Sequence, residues 1–231
     1  MGCCGSAPAD RVLPEPPATT EYDTYVSMLN ESLDPGNPRG WTIKKDWPTE
    51  YRKDGFKIMR IALRPHESGN ANMLLRADGK FKGAQPHEFA DFLKQVEVLP
   101  GFQESFDAET LPDGSIIKYL RVKAPCLTAR DHCWKYTFEK RGDGSIFACI
   151  RTTTHDKCPP RPGVIRAYYH NASLFKMSTE EEGVMEMTEF IFQDLKGGLS
   201  PSLMNSALAP GTLQANAMEM KHLAKKRSRS S

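Results

Sequence analysis

Long apolar runs are missing from this sequence. Nowhere in 231 residues does one approach the ~18 residues a membrane-spanning helix needs, and the first residues lack the charged-then-apolar pattern of a secretory signal. Cysteine is sparse. The six present show no CxxC and no metal-ligand spacing, which argues against a disulfide framework or a zinc site. An excess of one charge is missing as well: 31 basic against 29 acidic side chains leave +2, and no general case for nucleic acid arises. The chain has no G-x-S-x-G elbow, P-loop or HExxH, so the commonest hydrolase, nucleotide-triphosphatase and zinc-protease signatures are excluded. His155-Asp156 stands without further ligands and reads as structural. No cofactor is expected. Together these absences point to a reducing, cytosolic setting.

What the sequence does have is 39% hydrophobic and 26% charged residues, the balance of a soluble globular protein. Its length suffices for one domain of about 200 residues with a substantial core, or two small ones. The most informative stretch is Met1-Gly2-Cys3-Cys4-Gly5-Ser6. Removal of Met1 exposes Gly2 in the M-G-x-x-x-[ST] pattern of N-myristoylation, and Cys3 and Cys4 lie where palmitoyl groups attach. One myristoyl chain binds a membrane only marginally, whereas two or three acyl chains at about 0.8 kcal/mol per buried CH₂ bind it stably. The alternative is a disordered terminus with two incidental thiols.

Residues 7–19 are rich in Pro and Ala and read as an extended tether. The expected organisation is therefore an acylated tether over 1–19, a folded domain over 20–226 and a basic tail over 227–231, at the cytoplasmic face of a membrane. The last eleven residues hold Lys221, Lys225, Lys226, Arg227 and Arg229 and no acid. They either complement the dipole of their own helix or contact anionic lipid at about 1 kcal/mol per basic residue. Serines among them offer phosphorylation sites that would weaken such a contact.

Apolar spacing predicts a first helix over Glu21 to Leu33, stopped by Asp34-Pro35-Gly36. Short strands are predicted over Gly40–Asp46, Phe56–Leu63 and Asn72–Arg76, then a helix over Pro86–Val96. The middle of the chain is strongly β: Ser115–Lys123, Asp131–Lys140, Ser145–Thr153, Val164–His170 and Val184–Gln193. Ser200 and Pro201 open a C-terminal helix with the apolar stripe Leu203, Met204, Ala207, Leu208, Leu213, Ala217, Met220 and Leu223. Pro210-Gly211 is expected to kink or interrupt it. Cys133 and Cys149 fall inside strands and read as small core residues. This order is not βαβα alternation. It implies an α+β fold, a curved antiparallel sheet with helices on one face and a long last helix whose stripe closes over a cavity.

Several segments carry a family resemblance. They are Leu74-Leu75-Arg76-Ala77-Asp78-Gly79, the pair Phe106-Asp107, Tyr119 to Pro125 followed by Ala129-Arg130-Asp131, Gly163-Val164-Ile165-Arg166, and Asp194 to Gly197 followed by Ser202 to Asn205. In order and spacing they resemble the START domains, the steroidogenic-acute-regulatory-related lipid-transfer family, over about residues 20–226. The resemblance is to the phosphatidylcholine-transfer-like members. It implies a helix-grip fold, an antiparallel sheet around a long C-terminal helix, with a tunnel for one lipid.

In choline-lipid-binding relatives an aromatic cage grips the quaternary ammonium by cation–π attraction. The matching positions here are Tyr119, His132 and His170, two of them histidine, and Gln103 stands where those relatives place a phosphate-binding Arg before Asp107. Both departures argue against phosphatidylcholine. Strand parity then nominates a polar tunnel end from Asp107, Arg121, His132 and Arg166, with walls including Tyr119, Trp134, Tyr136 and His170. The bland alternative is a solvated sheet face and ordinary core aromatics. The loop His155–Pro162 matches one that gates the family's tunnel.

The function expected is non-enzymatic: binding of one phospholipid or sterol-like lipid by a monomer, and its transfer or presentation at the anchoring membrane. A lipid-sensing adaptor and an enzyme on a helix-grip scaffold are the alternatives.

Overall fold

The computed structural model describes residues 40–44, 50–53, 55–65, 71–125 and 127–227, together with Met28. The expected first helix, the acylation motif, the tether and the tail beyond Arg227 lie outside the described residues, Met28 excepted.

The described residues form one ten-stranded sheet. Its strands are β1 (Thr42–Lys44), β2 (Phe56–Pro65), β3 (Met73–Lys82), β4 (Phe102–Thr110), β5 (Ile116–Val122), β6 (Arg130–Lys140), β7 (Ile146–Thr152), β8 (Ile165–Arg166), β9 (Tyr168–Met177) and β10 (Val184–Asp194). The order across the sheet is β1-β2-β3-β10-β9-β7-β6-β5-β4, antiparallel throughout, with the short β8 pairing parallel to β6 off that path. Helix α1 (Pro86–Phe92), a 3₁₀ turn (Val96–Val98) and helix α2 (Pro201–Arg227) complete the fold. The element order thus gives the large antiparallel sheet that the sequence pattern implies.

Local chemistry explains the elements. Two hairpins turn on the same Asp-Gly-Ser unit: Asp113 and Asp143 each accept the backbone N–H of the serine two residues on at 2.9 Å, and Gly114 and Gly144 take φ of +80° and +82°. Each serine hydroxyl also donates to its aspartate, and these bonds hold both carboxyls below their usual range. Helix α1 opens with Pro86 and a capping box in which the Gln85 N–H donates to Glu88 at 2.9 Å.

Three expectations are corrected in detail. The helix expected over Pro86–Val96 ends at Phe92, and Val96 starts the 3₁₀ turn instead. Strand β4 went unpredicted because Gln103, Glu104 and Glu109 break any apolar alternation on this sheet-edge strand. Helix α2 runs unbroken through Pro210 and Gly211, on an exposed face where the Ser206 carbonyl that Pro210 leaves without a helical N–H can be solvated.

The two faces of the sheet carry different cores. On the inner face Phe56, Leu75, Phe81, Phe175, Met185 and Met187 pack against Phe89 of α1 and against Met220 and Leu223 of α2. Phe81 and Phe89 meet edge-on at 4.7 Å, a contact of about 1 kcal/mol beyond its buried area. On the outer face Met28 and Trp41 cover Ala62, Leu74, Phe190 and Phe192. Cys133 and Cys149 are both buried on the outer side, with Cys158 against Cys133.

Helix α2 is fixed at its start by several independent bonds. Ser200 Oγ accepts the Leu203 N–H at 3.3 Å. Arg130 at the head of β6 donates to the carbonyls of Leu195 and Lys196, both at 3.3 Å. Asn205 accepts the Met73 N–H at 2.8 Å and donates to the Ala71 carbonyl at 3.2 Å, fastening the first turns of the helix to β3.

Candidate functional site

Beyond the point where Met220 and Leu223 touch the sheet, helix and sheet part. A half-enclosed cavity of about 410 Å³ opens between the inner faces of β5, β6, β7, β9 and β10, the α1–3₁₀ segment and α2. That volume falls within the roughly 300–1,000 Å³ usual for small-molecule sites.

Most of the wall is apolar: Val96 and Leu99 beside the 3₁₀ turn, Leu120 and Val122 from β5, Ile150 from β7, and Met204 from α2. Aromatic rings form a second wall. Trp134 of β6 lies 4.6 Å from the His132 ring, 6.0 Å from Tyr136 and 4.9 Å from Tyr169 of β9. The polar part of the lining includes Gln95, just before the 3₁₀ turn, and groups from β10 and α2. Glu189 comes from β10, Glu219 and Asn216 from α2, and Gln193 from the end of β10.

These polar groups lie deep in the molecule. Burial pushes the Glu189 carboxyl up to about 7, even though Asn171 donates to it at 2.6 Å. Burial, and then the neighbouring Glu189 charge, hold Glu219 well above the carboxylate range. Tyr169 is raised by burial and by both glutamates, and Tyr136 chiefly by burial. Burial lowers His132 to about 4, so its ring is neutral at pH 7. The hydrogen-bonding atoms His132 Nδ1, Trp134 Nε1, Tyr136 Oη and Asn216 Nδ2 are buried without a partner. Each such atom costs about 1–3 kcal/mol.

Of the eight residues nominated from sequence, His132, Trp134 and Tyr136 line this cavity. The other five lie elsewhere, so the nominated polar end is not one cluster. Tyr119 pairs with Cys133 and therefore faces the opposite side of the sheet from His132, which pairs with Leu120. There Tyr119 stacks on Phe106 at 5.0 Å, lies under Arg161 and packs near Cys158. Arg121 follows the same parity and bridges to Glu104 at 3.4 Å. Asp107 sits at the sheet edge, 2.9 Å from Lys118. Arg166 grips buried Asp131 with two bonds of 2.8 and 3.0 Å and donates to the Cys158 carbonyl at 3.0 Å. His170 is buried on the outer face, 3.8 Å from Cys149. The loop His155–Pro162 lies over that outer face too: Lys157 donates to the Ala108 carbonyl at 2.9 Å, and none of the loop lines the cavity.

No family model matches the chain. By sequence it is similar to mouse StAR-related lipid transfer protein 5, 27% identical over 177 residues, which spans 68% of this chain and 81% of that protein. By structure it is similar to human STARD10, with a TM-score of 0.70 at 16% identity over 95% of this chain and 86% of the other. Human StAR-related lipid transfer protein 5 gives a TM-score of 0.68 at 16% identity, covering 90% and 95%. The fold is START-like. A STAR-related lipid transfer protein from Xanthomonas axonopodis adds a TM-score of 0.61 at 20% identity over 80% and 99%.

In this START-like fold the motifs that carried the resemblance are joints. Arg130-Asp131 and Ile165-Arg166 are the two sides of the β6–β8 pairing. Arg130 also clamps the turn before α2, where Lys196 and Gly197 take positive φ. A Cβ on Gly197 would come within 2.5 Å of Ile165. The lining acids escaped sequence reasoning, although signals for them exist. Glu189 shares parity with Met185, Met187 and Ile191, and Asn216 and Glu219 share a helical face with Met220 and Leu223.

Proposed function

We infer that this protein binds one lipid in the cavity between α2 and the sheet. It transfers or presents that lipid at a membrane to which acyl groups on Gly2, Cys3 and Cys4 anchor it. The observation that carries this reading is the amphiphilic lining: apolar and aromatic walls together with the electrostatically coupled Glu189 and Glu219. Burial of lipid carbon against such walls contributes about 25 cal/mol per Å². The helix-grip arrangement, with α2 held against the sheet around a lipid tunnel, is the form this site takes in the proposal. The similar proteins bear lipid-transfer names, which supports a carrier over an enzyme. The anchor raises local concentration at one membrane, which favours exchange with an apposed bilayer over long-range shuttling.

Native mass spectrometry of the full chain purified from cells, with extraction and identification of bound lipid, tests the carrier. One unaltered lipid per chain is the expected result; chemical turnover of that lipid would favour an enzyme. Intact mass tests the anchor, with Gly2→Ala expected to remove the acyl mass and release the protein from membranes. Unchanged membrane recovery of that variant would overturn the anchor.

A further inference from the structure

The cavity has a pronounced charge asymmetry. Two carboxyl side chains, Glu189 and Glu219, enter it from opposite elements and interact electrostatically. Glu219 is buried at 6% exposure, and desolvation dominates the environment of both carboxyls. No Lys or Arg is found among the described lining residues. A ligand phosphate or carboxylate would therefore meet repulsion and no counter-charge. A cation would find two acceptors whose desolvation is already complete.

Independent features point to a ligand at the same place. Asn216 lies one helical turn before Glu219 on the face of α2 that lines the cavity, is 3% exposed, and has an amide nitrogen without a partner. Tyr169 is close enough to feel both glutamates and lies 4.9 Å from Trp134, so an aromatic wall adjoins the acid pair. Ring faces beside a desolvated cation add attraction.

We propose that this end of the cavity takes the protonated amine of a phosphate-free, long-chain lipid, held between Glu189 and Glu219 with its hydrocarbon along the Leu120–Ile150 wall. The inference rests on the lipid-binding reading above and specifies its head group. An ammonium offers three donors, and the two carboxyls accept them; the unpartnered Asn216 Nδ2 is itself a donor and takes an acceptor elsewhere on the ligand. Binding requires at least one ionised carboxyl. Glu219 from α2 and Tyr169 from β9 interact electrostatically with Glu189, and Tyr136 and His132 from β6 line the same cavity. Both tyrosines are raised, His132 is lowered to about 4 and Glu189 is pushed up to about 7, so across pH 5.5 to 8 Glu189 is the group that changes charge. Amine binding therefore strengthens as pH rises through this range.

The test uses the full chain with three probes of one chain length: hexadecylamine, hexadecanol and hexadecyl phosphate. Binding is followed by quenching of tryptophan emission at about pH 5.5 and 8. At pH 8 the amine is expected to bind at least about tenfold more tightly than the alcohol, as a charge-assisted hydrogen bond allows, and the phosphate most weakly. That preference should shrink at pH 5.5. Glu189→Gln and Glu219→Gln should each reduce amine binding more than alcohol binding, with cooperative thermal unfolding showing that the variants are folded. Equal binding of amine and alcohol, or tighter binding of the phosphate, overturns the amine site but leaves lipid binding intact. If none of the three probes binds and extraction yields no lipid of any class, the lipid-binding reading itself fails.

Discussion

Arg166 and Asp131 show how a charged residue that looks functional in sequence is instead a joint. Asp131 is 1% exposed, and its two oxygens are taken by Arg166. Removing the arginine leaves a buried carboxylate without its partner, a loss of about 3–5 kcal/mol. Arg166→Ala should therefore lower Tm strongly and loosen the Cys158 loop, as seen by hydrogen exchange, and Asp131→Asn in the same chain should recover part of the loss. An unchanged Tm for Arg166→Ala would contradict that structural role. Glu189 behaves oppositely. Its folded-state value, about 7, lies above the 4.5 of a free glutamate, so the folded chain binds the extra proton between those two values. Stability falls as pH rises through that window. Glu189→Gln should raise Tm at pH 8, and the gain should fade as pH falls through 7 toward 4.5, below which both states are protonated. Removing Glu189 also removes the charge that helps to raise Glu219, so the difference between the two curves reports the coupled pair. A gain independent of pH would contradict a buried, proton-binding Glu189.

At the scale of elements, the placement of α2 depends on the turn before it. Gly197 has φ of +69° and no room for a Cβ beside Ile165. Gly197→Ala should cost about 1–2 kcal/mol, chiefly from placing a Cβ at positive φ, with a smaller addition as the Ile165 side chain moves aside, and thermal unfolding measures it. Asn205→Ala removes one bond to Met73 of β3 and one to Ala71 just before it, and should cost about 1–2 kcal/mol. Strands with clean alternation were legible from sequence, β6 above all, and so was the Ser200-Pro201 start of α2. The β4 edge and the far halves of β3 and β9 were not, because Asp78, Gly79, Asn171 and Ser173 interrupt their apolar pattern. The site failed to read for a different reason. Nominating Tyr119 and His132 together needs both to share a face, and the register sets Tyr119 opposite Cys133. Periodicity gives the parity of a single strand. Only pairing gives the relative parity of two. Trp134 and Tyr136 share the parity of His132, so one correct assignment on β6 brought three residues to the cavity.

The whole molecule combines a large outer sheet surface, stabilised by Met28, Trp41 and the 153–163 loop, with an inner surface left partly open beneath α2. Solid packing at Phe89, Met220 and Leu223 anchors one part of the helix to the sheet. The space near Met204, Ala207 and Gly211 remains for a guest. A bulky side chain there should displace a ligand without disturbing that anchor. The most direct measurement is native mass spectrometry of the wild type beside Ala207→Trp, both purified intact from the same cells. A lipid-binding cavity predicts one lipid mass on the wild type and none on the variant, with equal Tm in the stripped state. A lipid-free wild type, or equal lipid occupancy in both chains, would contradict it.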